Sequence, residues 1–327
     1  MKALVLAFTA SLAIPVIATG QDSNMVLAPS ELERIMREED LSIVSVVTSR
    51  GLNAERTYQA TVQIGPSAMI QLKYAPAPKG AEEFNNRPSY ELGAYALQKL
   101  FLDPEEYVVP PTVARCFALD VVQSALDMVP VDYKPQAERT FDDWNMGLVV
   151  LQYWLWNVDV PEPRDLDKDD RIQGNEAYER HVGNFNLLTY LIRHSDSNKG
   201  NFLLSTDPAN PRVFSVDNGV AFSNEESDRG YYWRDLRLER YPAKAIDRLR
   251  QYTLEDLYRE LGVLAQFEIR GAAFVETEPT DNLDPRQRVR HTADTIQIGL
   301  SASEIRNVHE RLERLIGWID GGRYRVF

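Results

Sequence analysis

A helix-patterned stretch, Glu176 to Arg193, runs into the polar loop Arg193-His194-Ser195-Asp196-Ser197-Asn198-Lys199-Gly200-Asn201, and the segment Val213-Phe214-Ser215-Val216-Asp217-Asn218-Gly219 follows a turn later. The chain thus offers one Asp in a loop, one Asn five residues on, and a second Asp at a strand end beside a glycine. Phosphoryl transfer needs these parts. One carboxylate orients or deprotonates the acceptor hydroxyl, while an amide oxygen and a second carboxylate hold Mg²⁺ against nucleotide phosphates. Either half alone reads equally well as a turn whose Asp and Asn satisfy local backbone groups. Both halves in this order favour the chemistry.

The same chemistry requires a strand lysine on the phosphates and a helix glutamate to fix it. Lys73 falls on the third of three short strand patterns and Glu91 near the start of the helix pattern after it. Lys99 and Lys79 are rivals, one late in that helix and the other in a loop, and Lys73 with Glu91 also reads as a pair of solvated surface charges. The turn that would cover the phosphates, Ser49 to Arg56, holds a single glycine, Gly51. Leu148 to Trp156 is expected to be a fifth strand and hinge, with Tyr153, Trp154 and Trp156 offering aromatic area.

These residues resemble the catalytic core of the phosphatidylinositol 3/4-kinase-like superfamily of atypical kinases, which includes the secretory-pathway Fam20-type kinases and related bacterial proteins. That pattern carries Asp-Arg-His-x-x-Asn and a later Asp-Phe-Gly or Asp-Asn-Gly. The resemblance implies that Asp196 is the catalytic Asp and that Asn201 and Asp217 are the metal ligands. Ser197 and Asn198 stand where the family has Arg and His. It further implies ATP with Mg²⁺ or Mn²⁺ as cofactors, and a hydroxyl-bearing acceptor that is a protein, lipid, sugar or small molecule. Two other readings use the same fold: a non-catalytic binding module, and a transferase that moves AMP.

The elements that must position these residues are legible as patterns. Leu41 to Thr48, Thr57 to Ile64 and Ala68 to Tyr74 read as an antiparallel meander, with turns at Ser49 to Asn53 and Gly65-Pro66-Ser67. Pro88 opens a helix through Phe101, and Thr112 to Leu119 is a further strand. Short helices are expected near Ser30 to Met36, Lys244 to Arg250, Leu254 to Ala265 and Glu304 to Ile319, the first capped by Ser30 and the last by Ser301 or Ser303. Phe202 to Ser205 and Arg212 to Val216 form a hairpin among them. The expected fold is α+β and two-lobed, like a protein kinase: an N-terminal antiparallel sheet lobe and hinge over 21–156, and a helical C-terminal lobe over 157–327 that carries the catalytic loop and metal-binding hairpin.

Composition bounds the rest. Met1 to Gly20 has the layout of a secretory signal, and its apolar run from Ala3 to Ile17 is short and interrupted by Pro15, so no stable membrane span is expected after its removal. Export would place the protein in a periplasm, a secretory lumen or outside the cell. A net charge of −13 disfavours nucleic acid as a partner. The single cysteine, Cys116, excludes an internal disulfide. The connector Pro161 to Glu176 alternates Asp165, Asp167 and Asp169 with Glu176 at the twelfth position, as in a calcium loop, although a solvated acidic linker capping the next helix is the better match. His181, His194, His291 and His309 show no metal-ligand spacing, and no Gly-x-Ser-x-Gly element is present.

Overall fold

A computed structural model describes residues 23–327 apart from 50–55, 67, 84–85, 133, 224–229 and 272. The expected signal segment 1–20 and Gly51 lie outside the described residues. The chain begins with α1 (Pro29–Glu38), which starts at Pro29 behind Ala28, so that Ser30 lies inside the helix and does not cap it. β1 (Ser42–Thr48), β2 (Tyr58–Ile64) and β3 (Ala68–Pro76) follow as an antiparallel meander. After α2 (Pro88–Lys99), β4 (Thr112–Ala118), α3 (Leu119–Asp127) and β5 (Met146–Tyr153) complete a five-stranded antiparallel sheet in the order β1-β2-β3-β5-β4.

Alternation puts Tyr58, Ala60 and Val62 of β2, and Ile70, Leu72 and Tyr74 of β3, on one buried face with Leu32, Ile35 and Met36 of α1 and Val122, Ala125 and Leu126 of α3. Lys73 therefore faces the other way, towards α2. β5 is buried at all of its positions, as a strand covered on both faces must be. Tyr153, whose ring could either offer aromatic area or fill a core, fills the core, with its hydroxyl accepting from the Val26 amide.

Beyond β5 the longest elements are helices, as the pattern indicated, with short strands set among them. A small sheet of β6 (Val158–Asp159), β7 (Phe202–Ser205) and β8 (Val213–Ser215) brackets the short α4 (Asp169–Ile172) and the long, almost wholly buried α5 (Glu176–Leu191). α5 is capped by Asn175, whose side chain accepts from the Tyr178 amide, and not by the acidic run before it. β9 (Arg240–Tyr241) leads into α6 (Ala243–Leu249) and α7 (Leu254–Leu261). No helix among the described residues is long and apolar enough to cross a membrane.

One feature was not expected from the sequence: a second antiparallel sheet of β10 (Ala265–Arg270), β11 (Ala273–Thr277), β12 (Val289–His291) and β13 (Thr295–Ile298), in the order β11-β10-β13-β12. α7 stops at Leu261 and does not run on to Ala265, and at its Gly262 cap the backbone is closely approached by Gly299, where a Cβ would lie 2.1 Å from the Gly262 oxygen. Arg290 is buried there, its guanidinium donating to the carbonyls of Gly262, Asp284, Gln287 and Leu300. This fixes the sheet to the segments before and after it. Phe267, Ile296 and Ile298 on the sheet's other side share a core with Leu92, Phe141, Trp144 and Leu148. α8 (Ala302–Asp320), capped by Ser301, and β14 (Arg325–Val326), parallel to β9, close the chain.

Candidate active site

Register and helix start bring Lys73 and Glu91 together. Lys73 pairs with Gln59 and Gln152 across β2 and β5, and its Nζ lies 2.7 Å from Glu91 Oε1. Both side chains are nearly buried. The same Nζ donates to Asp217 Oδ1 at 3.1 Å, across 144 residues of chain. Burial alone would depress the Lys73 ammonium, but the carboxylates of Asp217 and Glu91 outweigh it and hold its pKa above the ordinary lysine value. The rivals are engaged elsewhere, Lys99 with Glu33 and Lys79 with Asp142.

Asp217 follows β8 in the left-handed backbone region, at φ 60°. The turn aims its half-exposed carboxylate at Lys73 and lets the next amide, Asn218 N, donate to Glu91 Oε2 at 3.0 Å. Ser215 Oγ in turn donates to Asn218 Oδ1 at 2.8 Å. Glu91 thus bridges the lysine and the turn.

The residues expected to form the catalytic loop make a second knot. α5 ends at Leu191, and Arg193, at φ 50°, redirects the chain into the loop. Asn201, fully buried, donates through Nδ2 to the Asp196 carbonyl at 3.0 Å and to Asp196 Oδ2 at 2.9 Å. The Val216 amide donates to the Asn201 carbonyl at 2.8 Å, which couples this loop to the strand end before Asp217. Asp196 and Asn201 are therefore bonded directly, Asp217 is tied to Asn201 through the adjoining Val216 amide, and Lys73 from β3 and Glu91 from α2 meet at the Asp217 turn. Ser49 Oγ donates to the Thr57 carbonyl at 2.9 Å, and residues 50–55 of the expected phosphate-covering turn, Gly51 among them, lie outside the described residues.

The donor set suits a hard cation. The Asn201 amide oxygen, with its side chain held by its own Nδ2 bonds, and the Asp217 carboxylate would leave the remaining positions of such an ion to phosphate oxygens. The acidic connector has other partners: Asp165 pairs with Lys168, Asp167 accepts from the Tyr232 hydroxyl at 2.7 Å, and 163–165 and 169–172 are helical turns. Among the described residues no group of three or more His, Cys, Asp or Glu gathers as a metal centre.

Two supports escaped the reading of the sequence. Ser197 is tied down by its backbone amide donating to the Gly230 carbonyl and by its Oγ accepting from the Trp233 amide. His194 precedes Asp196 by two residues, and the His-x-Asp-x-x-x-x-Asn spacing of kinase catalytic loops is the signal that marks it. It is buried against Phe202 with neither ring nitrogen hydrogen-bonded within the described residues.

Burial holds the His194 imidazole down at about 4, against a weaker upward pull from Asp217. The unfolded chain takes up this proton near the ordinary value of 6.5, so between the two values the unfolded state binds the extra proton. Stability from this group is full above about pH 6.5 and is lost as pH falls towards 4, by about 3 kcal/mol in all. His194→Phe is expected to flatten the fall in urea midpoint between pH 7 and about pH 4.5. An unchanged slope in the variant would rule out a buried neutral imidazole.

With this geometry in view, the chain is similar to a solved Fam20 from Hydra, determined with a sugar, at 13% identity, a TM-score of 0.56 and 92% coverage of both chains. The fold is Fam20-like. A Helicobacter pylori proinflammatory kinase, CtkA, matches at 9% identity and a TM-score of 0.31 over 86% of this chain and 94% of that one, a likeness too weak to carry an argument. No protein-family model matches the chain, and no curated protein matches it. At 13% identity the Fam20-like fold is what the likeness establishes. It meets the Fam20 part of the resemblance seen in the sequence and does not reach the phosphatidylinositol 3/4-kinase part.

Proposed function

We propose that the chain is an atypical kinase, an ATP- and divalent-metal-dependent phosphotransferase acting on a hydroxyl acceptor. The observation that carries this reading is the convergence of Lys73 on both Glu91 and Asp217, at 2.7 and 3.1 Å. A buried ammonium set between a helix carboxylate and a turn carboxylate is costly to build and is what a phosphate-binding lysine requires. In this reading Lys73 holds the nucleotide phosphates with Glu91 behind it. Asn201 and Asp217 hold Mg²⁺ or Mn²⁺, which supplies charge neutralisation on the phosphates. Asp196 orients the acceptor hydroxyl and takes its proton. The lobes divide near 156/157, and export by the segment 1–20 puts the activity in a periplasm, a secretory lumen or outside the cell.

A cavity of about 660 Å³ beside Ser197 is lined by Glu162, Arg164, Tyr231, Tyr232, Asp235 and Arg237. Aromatic faces among carboxylates and guanidiniums suit a polyhydroxylated acceptor. The sugar of the Hydra Fam20 structure gives that class a precedent on this fold.

Incubation of the protein with γ-labelled and, separately, α-labelled ATP, Mg²⁺ or Mn²⁺ and a panel of hydroxyl acceptors tests the proposal. Transfer of the γ label alone is the expected result. Retention of the α label would show AMP transfer instead. Neither label, with no nucleotide bound, would leave a non-catalytic module that has kept the fold.

A further inference from the structure

Helix α2 carries Glu91, yet much of what fixes its orientation comes from the other end of the chain. Tyr90 is fully buried, with its ring 5.6 Å from that of Phe222. One turn on, a Cβ on Gly93 would lie 3.1 Å from Leu300 Cδ2 and 3.3 Å from the Phe222 ring, so the helix is seated closely on these side chains. The Tyr90 hydroxyl donates to Glu304 Oε1 and accepts from Arg288 Nη1 at 2.7 Å. Arg288 Nη1 also donates to Glu304 Oε1 at 3.1 Å, and Arg288 Nε to Glu82 at 2.8 Å.

The second Glu304 oxygen is occupied differently. Oε2 accepts from Ser301 N and Ser301 Oγ, both at 2.8 Å, and so closes the capping box that starts α8. One nearly buried carboxylate therefore begins α8 with one oxygen and grips α2 with the other. Tyr90 and Glu91 are consecutive, about 100° apart around the helix axis. The bonds to the Tyr90 hydroxyl set the rotation at this end of α2, as those of Gln98 to the Val108 and Val109 backbone do at the other, and the rotation at this end decides whether Glu91 meets Lys73.

We infer that Tyr90, Glu304 and Arg288 are positioning residues that hold α2 at the rotation in which Glu91 engages Lys73. The consequence for catalysis rests on the phosphotransferase reading, whereas the tether itself does not. A cavity of about 570 Å³ lined by Glu82, Arg288, Ser301 and Glu304 opens on the network, so groups released from Tyr90 can be solvated without unfolding the chain.

Tyr90→Phe tests this in the full chain, because it keeps the ring against Phe222 and removes the hydroxyl alone. Arg286→Ala is the control, since Arg286 lines the same cavity but pairs with Asp284. Two measurements need no nucleotide. Amide exchange across α2 is expected to quicken on the order of tenfold in Tyr90→Phe, with α5 unaltered. Acylation of the Lys73 amine, read by mass spectrometry, is expected to rise with it. A third is kinetic: kcat for phosphate transfer should fall while the acceptor KM holds.

Unchanged α2 exchange and Lys73 labelling in Tyr90→Phe would overturn the inference. So would an equal change in Arg286→Ala, or an unchanged kcat where the parent is active. A parent that transfers no phosphate would overturn the phosphotransferase reading, and the two nucleotide-free measurements would still decide the tether.

Discussion

Asp217→Asn is expected to lower metal-dependent ATP affinity on the order of a hundredfold or more while the chain stays folded, as measured by calorimetric titration with ATP and Mg²⁺ or Mn²⁺. The substitution keeps the shape of the side chain and removes its charge. Asparagine tolerates the backbone found at this position, φ 60°, nearly as well as aspartate does. Lys73 retains Glu91 at 2.7 Å, so the ammonium is not left alone in the protein. What is lost is the carboxylate, which on a hard cation does what an amide oxygen cannot. Undiminished affinity in the variant, with the cation required as before, would remove Asp217 from the metal site and with it the central assignment.

Asp196→Asn is expected to separate binding from transfer. Asn201 Nδ2 donates to Asp196 Oδ2 at 2.9 Å and to its carbonyl at 3.0 Å, and an asparagine at 196 can accept both bonds. The loop and its link to Val216 therefore persist. A carboxamide takes no proton from an acceptor hydroxyl, and loss of a positioned general base costs on the order of 10² to 10⁴ in rate. MgATP affinity should change little while turnover falls by that amount. Parallel loss of affinity and turnover would show Asp196 to be a metal or structural residue.

Much of this site was legible because its parts are local. Asp196 to Asn201 and Asp217 to Gly219 each lie within a few residues, and β2 and the start of α2 carry plain signals in the alternation of Tyr58, Ala60 and Val62 and in Pro88. The pairing of Lys73 with Glu91 followed once a strand and a helix were assigned. α3 was missed although Val122, Ala125 and Leu126 have helical spacing, because the stretch follows a strand with no glycine or proline between them. The second sheet was hidden for another reason. β12 and β13 are three and four residues long, and β10 mixes Gln266, Glu268 and Arg270 with its apolar residues. Such strands are specified by partners far along the chain and by the close approach of Gly262 and Gly299, not by their own pattern. Nor does any local signal announce that the capping residue Glu304 also holds Tyr90, 214 residues away.

The second sheet has a mechanical consequence. The chain leaves the first sheet at the Tyr153 end of β5, while Phe267, Ile296 and Ile298 grip the core beside the other end of that strand, at Met146 and Leu148. The two attachments, one covalent and one packed, are separated by most of the length of β5, about 24 Å. Because Tyr90, Ala94 and Leu97 of α2 also share a core with α5, α7 and α8, and Lys73 reaches Asp217 directly, the first sheet is braced at both ends of β5 and along α2 rather than hung from a single connection.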